Sequence, residues 1–180
     1  MGSLIIAWTI RASVLLFFAT LISWVLQTAP SRWDRSLRIV WSLGFVLFVA
    51  HVVAAFHFHH QWSHAAALAE TARQTRDQIG LEFGVGLYFN HLFMIVWAID
   101  LVWIWFASTE LQKRYRWLRL TWIAYLIFIA FNGVAVFKDG WMRVGGITAM
   151  CVILLGVIMR LKSTRLNSTP LQQDSTSAAR

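Results

Sequence analysis

Charge is scarce in this chain: 13% of its 180 residues are Asp, Glu, Lys or Arg, about half the ~25% of an ordinary soluble domain. Too few groups remain to solvate a compact globule, so a water-soluble fold is excluded. Cysteine is scarcer still. Cys151 stands alone in an apolar run, which rules out an intrachain disulfide, a C-x-x-C-H attachment of covalent haem and a paired-cysteine zinc motif. There is no internal repeat and no P-loop, G-x-G-x-x-G, G-x-S-x-G or H-E-x-x-H. No nucleophile with its base and orienting group can be picked out either, which leaves enzymatic activity an open question.

What the chain has in abundance is apolar surface: 58% hydrophobic residues and 11 Trp. A membrane-spanning helix needs about 20 mostly apolar residues, at 1.5 Å rise across ~30 Å of hydrocarbon. Five stretches meet this length or come close: Leu4 to Leu26, Ile39 to Phe58, Val85 to Phe106, Leu118 to Phe137 and the shortest, Val144 to Leu161. The expected fold class is therefore all-α, a polytopic bundle of five transmembrane helices over 1–162. The first stretch is read as a retained span, because the residues before Arg11 are apolar and the site Gln27-Thr28-Ala29 is a poor cleavage signal.

The formal net charge of +8 gains its meaning from distribution. Eleven of the 16 Lys and Arg lie before the second run, around the start of the fourth and at the carboxyl end; Arg11, Arg73, Arg76, Lys138 and Arg143 make up the rest. Basic residues in short loops are retained on the cytoplasmic side, so the amino terminus is expected outside and the carboxyl terminus inside an inner or plasma membrane. The positive charge then reflects topology and calls for no nucleic-acid partner; the lipid bilayer is the expected partner, with anionic headgroups drawn to the basic face. Trp8, Trp62 and Trp141 at one boundary, and Trp33, Trp41, Trp103, Trp105, Trp117 and Trp122 at the other, fit interfacial belts. The connection 61–83 is long for a bundle loop and carries Leu68, Ala72, Thr75 and Ile79 at helical spacing, which predicts a helix over the outer surface. The polar segment 163–180 is expected to be a disordered cytoplasmic tail.

All six His fall between positions 51 and 91. If the second helix continued outward, His57, His60 and His64 would share one face within about 60° of arc, a spacing that suits a transition-metal ion. His51 and His91 sit at matching depth, about 10 Å below the outer boundary by helical rise, on consecutive antiparallel helices. Two imidazoles so placed could hold a b-type haem or share a metal ion, for electron transfer or metal handling. The competing explanation is local: His57, His59 and His60 at a boundary need no ligand, and His51 and His91 could bond each other, Asn90 or a backbone carbonyl.

Two charges lie within the apolar runs. Arg11 is expected to snorkel outward or pair with Glu82, or to be the cation for a buried anion such as a haem propionate or a quinol headgroup; Asp100 is expected to pair with Arg38 or Arg119. The sequence thus favours a membrane protein with a histidine-lined outer site, with His51, His91 and Arg11 holding a cofactor and His57, His60 and His64 a metal. The alternatives are a non-catalytic packing or scaffold subunit of a membrane complex and, third, a small transporter.

Overall fold

The computed structural model describes residues 1–27, 33–135 and 140–167. Among them the chain is all-helical: α1 (Gly2–Leu26), α2 (Arg35–Phe58), α3 (His64–Ile79), α4 (Gly86–Phe106), α5 (Thr109–Arg114), α6 (Arg116–Ala135) and α7 (Trp141–Asn167). Five of these, α1, α2, α4, α6 and α7, are long and apolar enough to cross a membrane.

The five long helices close into a ring. α1 packs on α2, α2 on α4, α4 on α6, α6 on α7, and α7 returns to α1. α3 leans on α4 across one end of the ring, and α5 links α4 to α6 at the other. Local chemistry sets the boundaries. Asp34 accepts from the Leu37 amide at 2.8 Å and starts α2 at Arg35, four residues before the apolar run begins. Ser63 caps α3 through the Ala66 amide at 3.2 Å, and Gly80, at φ 76°, ends it in the left-handed conformation that glycine adopts without strain. α1 and α2 approach closely because Ser13 Oγ donates to the Gly44 carbonyl at 2.8 Å, where an added Cβ would lie 3.3 Å from Trp97.

The interior is aromatic. Trp41 and Trp97 are 0% and 1% exposed and lie 4.9 Å apart, and Phe17 completes a triangle with them at 5.0 and 5.2 Å between ring centroids. Phe48 and Phe93 meet edge to face at 4.9 Å on the α3 side of this cluster. The outer faces of the ring carry Leu15, Val46, Val102, Phe128 and Leu155, all exposed. Apolar residues on both faces of every long helix are what a bundle solvated by hydrocarbon requires.

The second helix ends at Phe58, where the apolar run was expected to end: Gln61 and Trp62 take positive φ values of 46° and 61°, and α3 starts afresh at His64, so the continuation that a shared face would require is not there. His57, His60 and His64 therefore belong to a helix end, a turn and a new helix, and share no helical face. At the carboxyl end α7 runs to Asn167, so the first five residues expected in a tail are helical; the remainder, 168–180, lies outside the described residues, as do Arg32 and Lys138.

Candidate functional site: a histidine-lined lumen

At the α5 end the ring is pinned by one carboxylate. Asp100, fully buried, accepts from Arg119 Nε at 3.0 Å and Trp122 Nε1 at 2.9 Å through Oδ1, and from Trp41 Nε1 at 3.0 Å through Oδ2. Three helices, α2, α4 and α6, meet on it. Of the two partners expected for Asp100, Arg119 is the one bound. Arg38 instead donates from Nε to the Trp33 carbonyl at 3.0 Å and lies 5.8 Å from the Trp105 ring. The Arg119 guanidinium rests 4.7 Å from the Trp33 ring, and its Nη2 is buried without a hydrogen-bond partner. Such a carboxylate, shared by three donors and closed off from water, is a joint of the fold.

At the α3 end the ring opens into a cavity of about 630 Å³. Phe17, Phe48, Phe93 and Trp97 form its floor, and Ile10, Val52 and Ile129 contribute apolar wall. Towards the mouth the lining turns polar: His51, His59 and His60 from α2 and the turn after it, Asn90 and His91 from α4, Glu70, Gln74 and Thr75 from α3, and Asn132 from α6. An apolar chamber with a few convergent polar groups, of a volume within the usual ~300–1,000 Å³, is the ordinary form of a small-molecule site.

His51 and His91 line this one chamber, as matching depth on antiparallel helices led one to expect. His51 Nδ1 lies 2.9 Å from the Ile6 carbonyl. A carbonyl only accepts, so Nδ1 carries the hydrogen and, in the neutral ring, Nε2 carries the lone pair. His91 stacks on His64 of α3 at 6.1 Å with 23° between the planes and tilts against Phe56 at 6.1 Å. His64 in turn touches Tyr88 at 5.6 Å. α3 is thus tied to the cavity wall by an imidazole pair.

The remaining expected ligands are not brought together. His57 packs on Phe58 at 4.7 Å and on Trp62 at 6.3 Å, while His60 packs on Phe56 at 5.6 Å. Among the described residues no three of His, Cys, Asp and Glu converge in a way that could hold a metal ion. Arg11 is also elsewhere. It faces a groove between α1 and α7, lying 5.3 Å from the Trp8 ring and 5.9 Å from the Trp141 ring. Ile10 and Ser13, one and two residues away, look into the lumen, and the 100° step of a helix sends Arg11 to the other side. Its expected partner Glu82 is bound by Arg76 at 3.0 Å.

Sequence reasoning missed Glu70 and Gln74 as lining groups. Arg73 donates to Glu70 at 3.0 and 2.7 Å and Gln74 donates to it at 2.8 Å. These bonds hold the carboxyl at a pKa of about 2, well below the usual 4.5. The i, i+3 spacing of Glu70 and Arg73 was visible as a surface pair, but nothing in it told which way the Glu would turn.

The chain matches no protein-family model, no curated protein and no solved structure.

Proposed function

We propose that the chain is an integral membrane protein of an inner or plasma membrane whose helix ring binds one small molecule in the lumen beneath α3, with the imidazoles of His51 and His91 as its principal polar contacts. The charge distribution supports a topology with α3 and the amino terminus outside and the carboxyl terminus cytoplasmic. The observation that carries the binding function is the chamber itself, aromatic at its floor and lined by imidazole and amide groups at its mouth.

The lining also favours a ligand class. It holds one carboxylate, Glu70, and no Lys or Arg among the described residues, so an anion has no fixed counter-charge. A neutral, flat, lipid-soluble molecule suits it better, its ring against Phe93 and Trp97, a hydroxyl donating to the His51 Nε2 lone pair and its other oxygen towards Asn90 and His91. Quinols have this chemistry, a hydroxyl donating to the Nε2 of His51, and the Asn90 amide and the His91 ring can donate to a carbonyl of the quinone form. A b-type haem would use the same two imidazoles as axial ligands, but its propionates lack the cation that Arg11 would have supplied.

The test is to purify the protein without a histidine tag and record its visible spectrum and metal content. An organic extract of the same sample is then analysed by mass spectrometry. A quinone-class molecule at near-equimolar amount, depleted about three- to tenfold in His51→Ala and His91→Ala as the loss of one hydrogen bond implies, is the expected result. Haem bands that vanish in both variants would assign the imidazoles to iron instead. A folded, colourless, metal-free protein whose extract holds no stoichiometric small molecule would refute ligand binding in the lumen and leave a packing subunit as the account.

A further inference from the structure

The Arg11 groove adjoins the lumen across Val14, Val134 and Met142, which line both, but opens on the other side of α1, and its own features call for a ligand. Arg11 lies ten residues into a membrane-length helix, yet among the described residues it has neither an ion pair nor a hydrogen bond; only the rings of Trp8 and Trp141 face its guanidinium. A charge inside an apolar helix is costly without a partner. Trp141 is the first residue of α7 and of its apolar span, so the guanidinium lies level with the start of that span although Arg11 is ten residues down α1.

Below Arg11 the groove is apolar and runs along the bundle, with a volume of about 240 Å³. On α1 it follows Leu15, Phe18 and Ile22, which lie on one face with Arg11; on α7 it follows Gly145 and Ala149. Arg11 to Ile22 is eleven steps, about 16 Å at helical rise. One leaflet of a bilayer has ~15 Å of hydrocarbon. Measured from the start of the α7 span at Trp141, the groove runs from a cation at the boundary to near the mid-plane. Gly145 keeps it open: an added Cβ there would meet nothing within 4 Å.

We propose that this groove is a binding site for one anionic phospholipid, its phosphate paired with Arg11 and one acyl chain laid between α1 and α7. Charge complementarity selects the headgroup, and the match of groove length to a single leaflet selects a lipid over a soluble phosphate. The proposal does not rest on a ligand in the lumen.

The full-length protein, reconstituted in nanodiscs of equal parts phosphatidylglycerol and phosphatidylcholine and released for native mass spectrometry, tests this. One retained phosphatidylglycerol is expected, with about a fivefold preference over phosphatidylcholine, equivalent to ~1 kcal/mol for one cation at the membrane surface. Arg11→Gln should abolish the preference. Gly145→Leu, which fills open space and leaves Arg11 in place, should lower retention of both lipids. Circular dichroism of each variant establishes that it is folded, and should Arg11→Gln unfold, the Gly145→Leu result decides. An unchanged phosphatidylglycerol preference in folded Arg11→Gln, unchanged retention in Gly145→Leu, or equal displacement by glycerol phosphate would each overturn the proposal.

Discussion

Replacing Asp100 by Asn removes the negative charge beneath Arg119 and keeps the side-chain size. The Asn carbonyl can still accept from Trp122 or Arg119, but its amide must take the place of Oδ2, which accepts from Trp41 Nε1 at 3.0 Å in the wild type. Two donors would then face each other, and Arg119, whose Nη2 already lacks a partner, would be left as a buried cation without a counter-charge. Removing one member of a buried ion pair costs about 3–5 kcal/mol, so Asp100→Asn should lose several kcal/mol of stability. The double variant Asp100→Asn/Arg119→Leu removes the stranded charge as well and should recover at least ~1–2 kcal/mol of that loss. Unfolding by SDS in mixed micelles, followed by far-ultraviolet circular dichroism, measures both. A single variant within ~1 kcal/mol of wild type, or a double variant less stable than Asp100→Asn, would refute the assignment of Asp100 as the pin of the ring.

Other consequences concern α3 and the topology. Glu70 has its carboxyl pKa depressed to about 2 from 4.5, so its contribution is full above the unfolded value and is lost as pH falls from about 4.5 towards 2. Its side chain is 36% exposed, so solvent screening limits that contribution to ~1 kcal/mol or less; a spin label at position 65 should gain mobility across that window and Glu70→Gln should abolish the transition. Ser63→Ala removes the α3 cap and should cost about 1 kcal/mol of local stability, read as faster hydrogen exchange in the first turn of α3 with exchange in α4 unchanged. Gly80→Ala places a Cβ at φ 76° and should destabilise the far end of α3 by about 1 kcal/mol. Cysteines placed at Ala65 and Lys113, with Cys151 changed to Ser, should label from opposite sides of the membrane; labelling from one side would overturn the five-span topology.

The spans were legible because helix-length apolar runs separated by charged segments carry their own boundaries to within a few residues, and α3 announced itself through Leu68, Ala72, Thr75 and Ile79. Counting helical rise placed Asp100 near Arg119 and put His51 and His91 on the walls of one chamber, because depth along a straight helix depends only on residue number. Rotation about the helix axis was not available in that way. Arg11 turned out to face α7 and not the lumen because α1 serves two surfaces at once, and its uniformly apolar sequence does not mark which is which. The end of the second helix at Phe58 was legible from the end of its apolar run, but the left-handed turn at Gln61 and Trp62 was not, because neither residue favours that backbone. α5 is too short to carry a periodic pattern.

The central claim, that the lumen under α3 binds a neutral ligand through His51 and His91, is most directly tested by nitrogen-15 spectroscopy of the imidazoles. The chain has six His, so selective labelling yields a spectrum simple enough to assign by single substitutions. Titration with a short-chain quinone into nanodisc-embedded protein should shift the His51 and His91 signals in a saturable manner and leave His57 unmoved. Shifts confined to His57, or none at saturating quinone, would contradict the account.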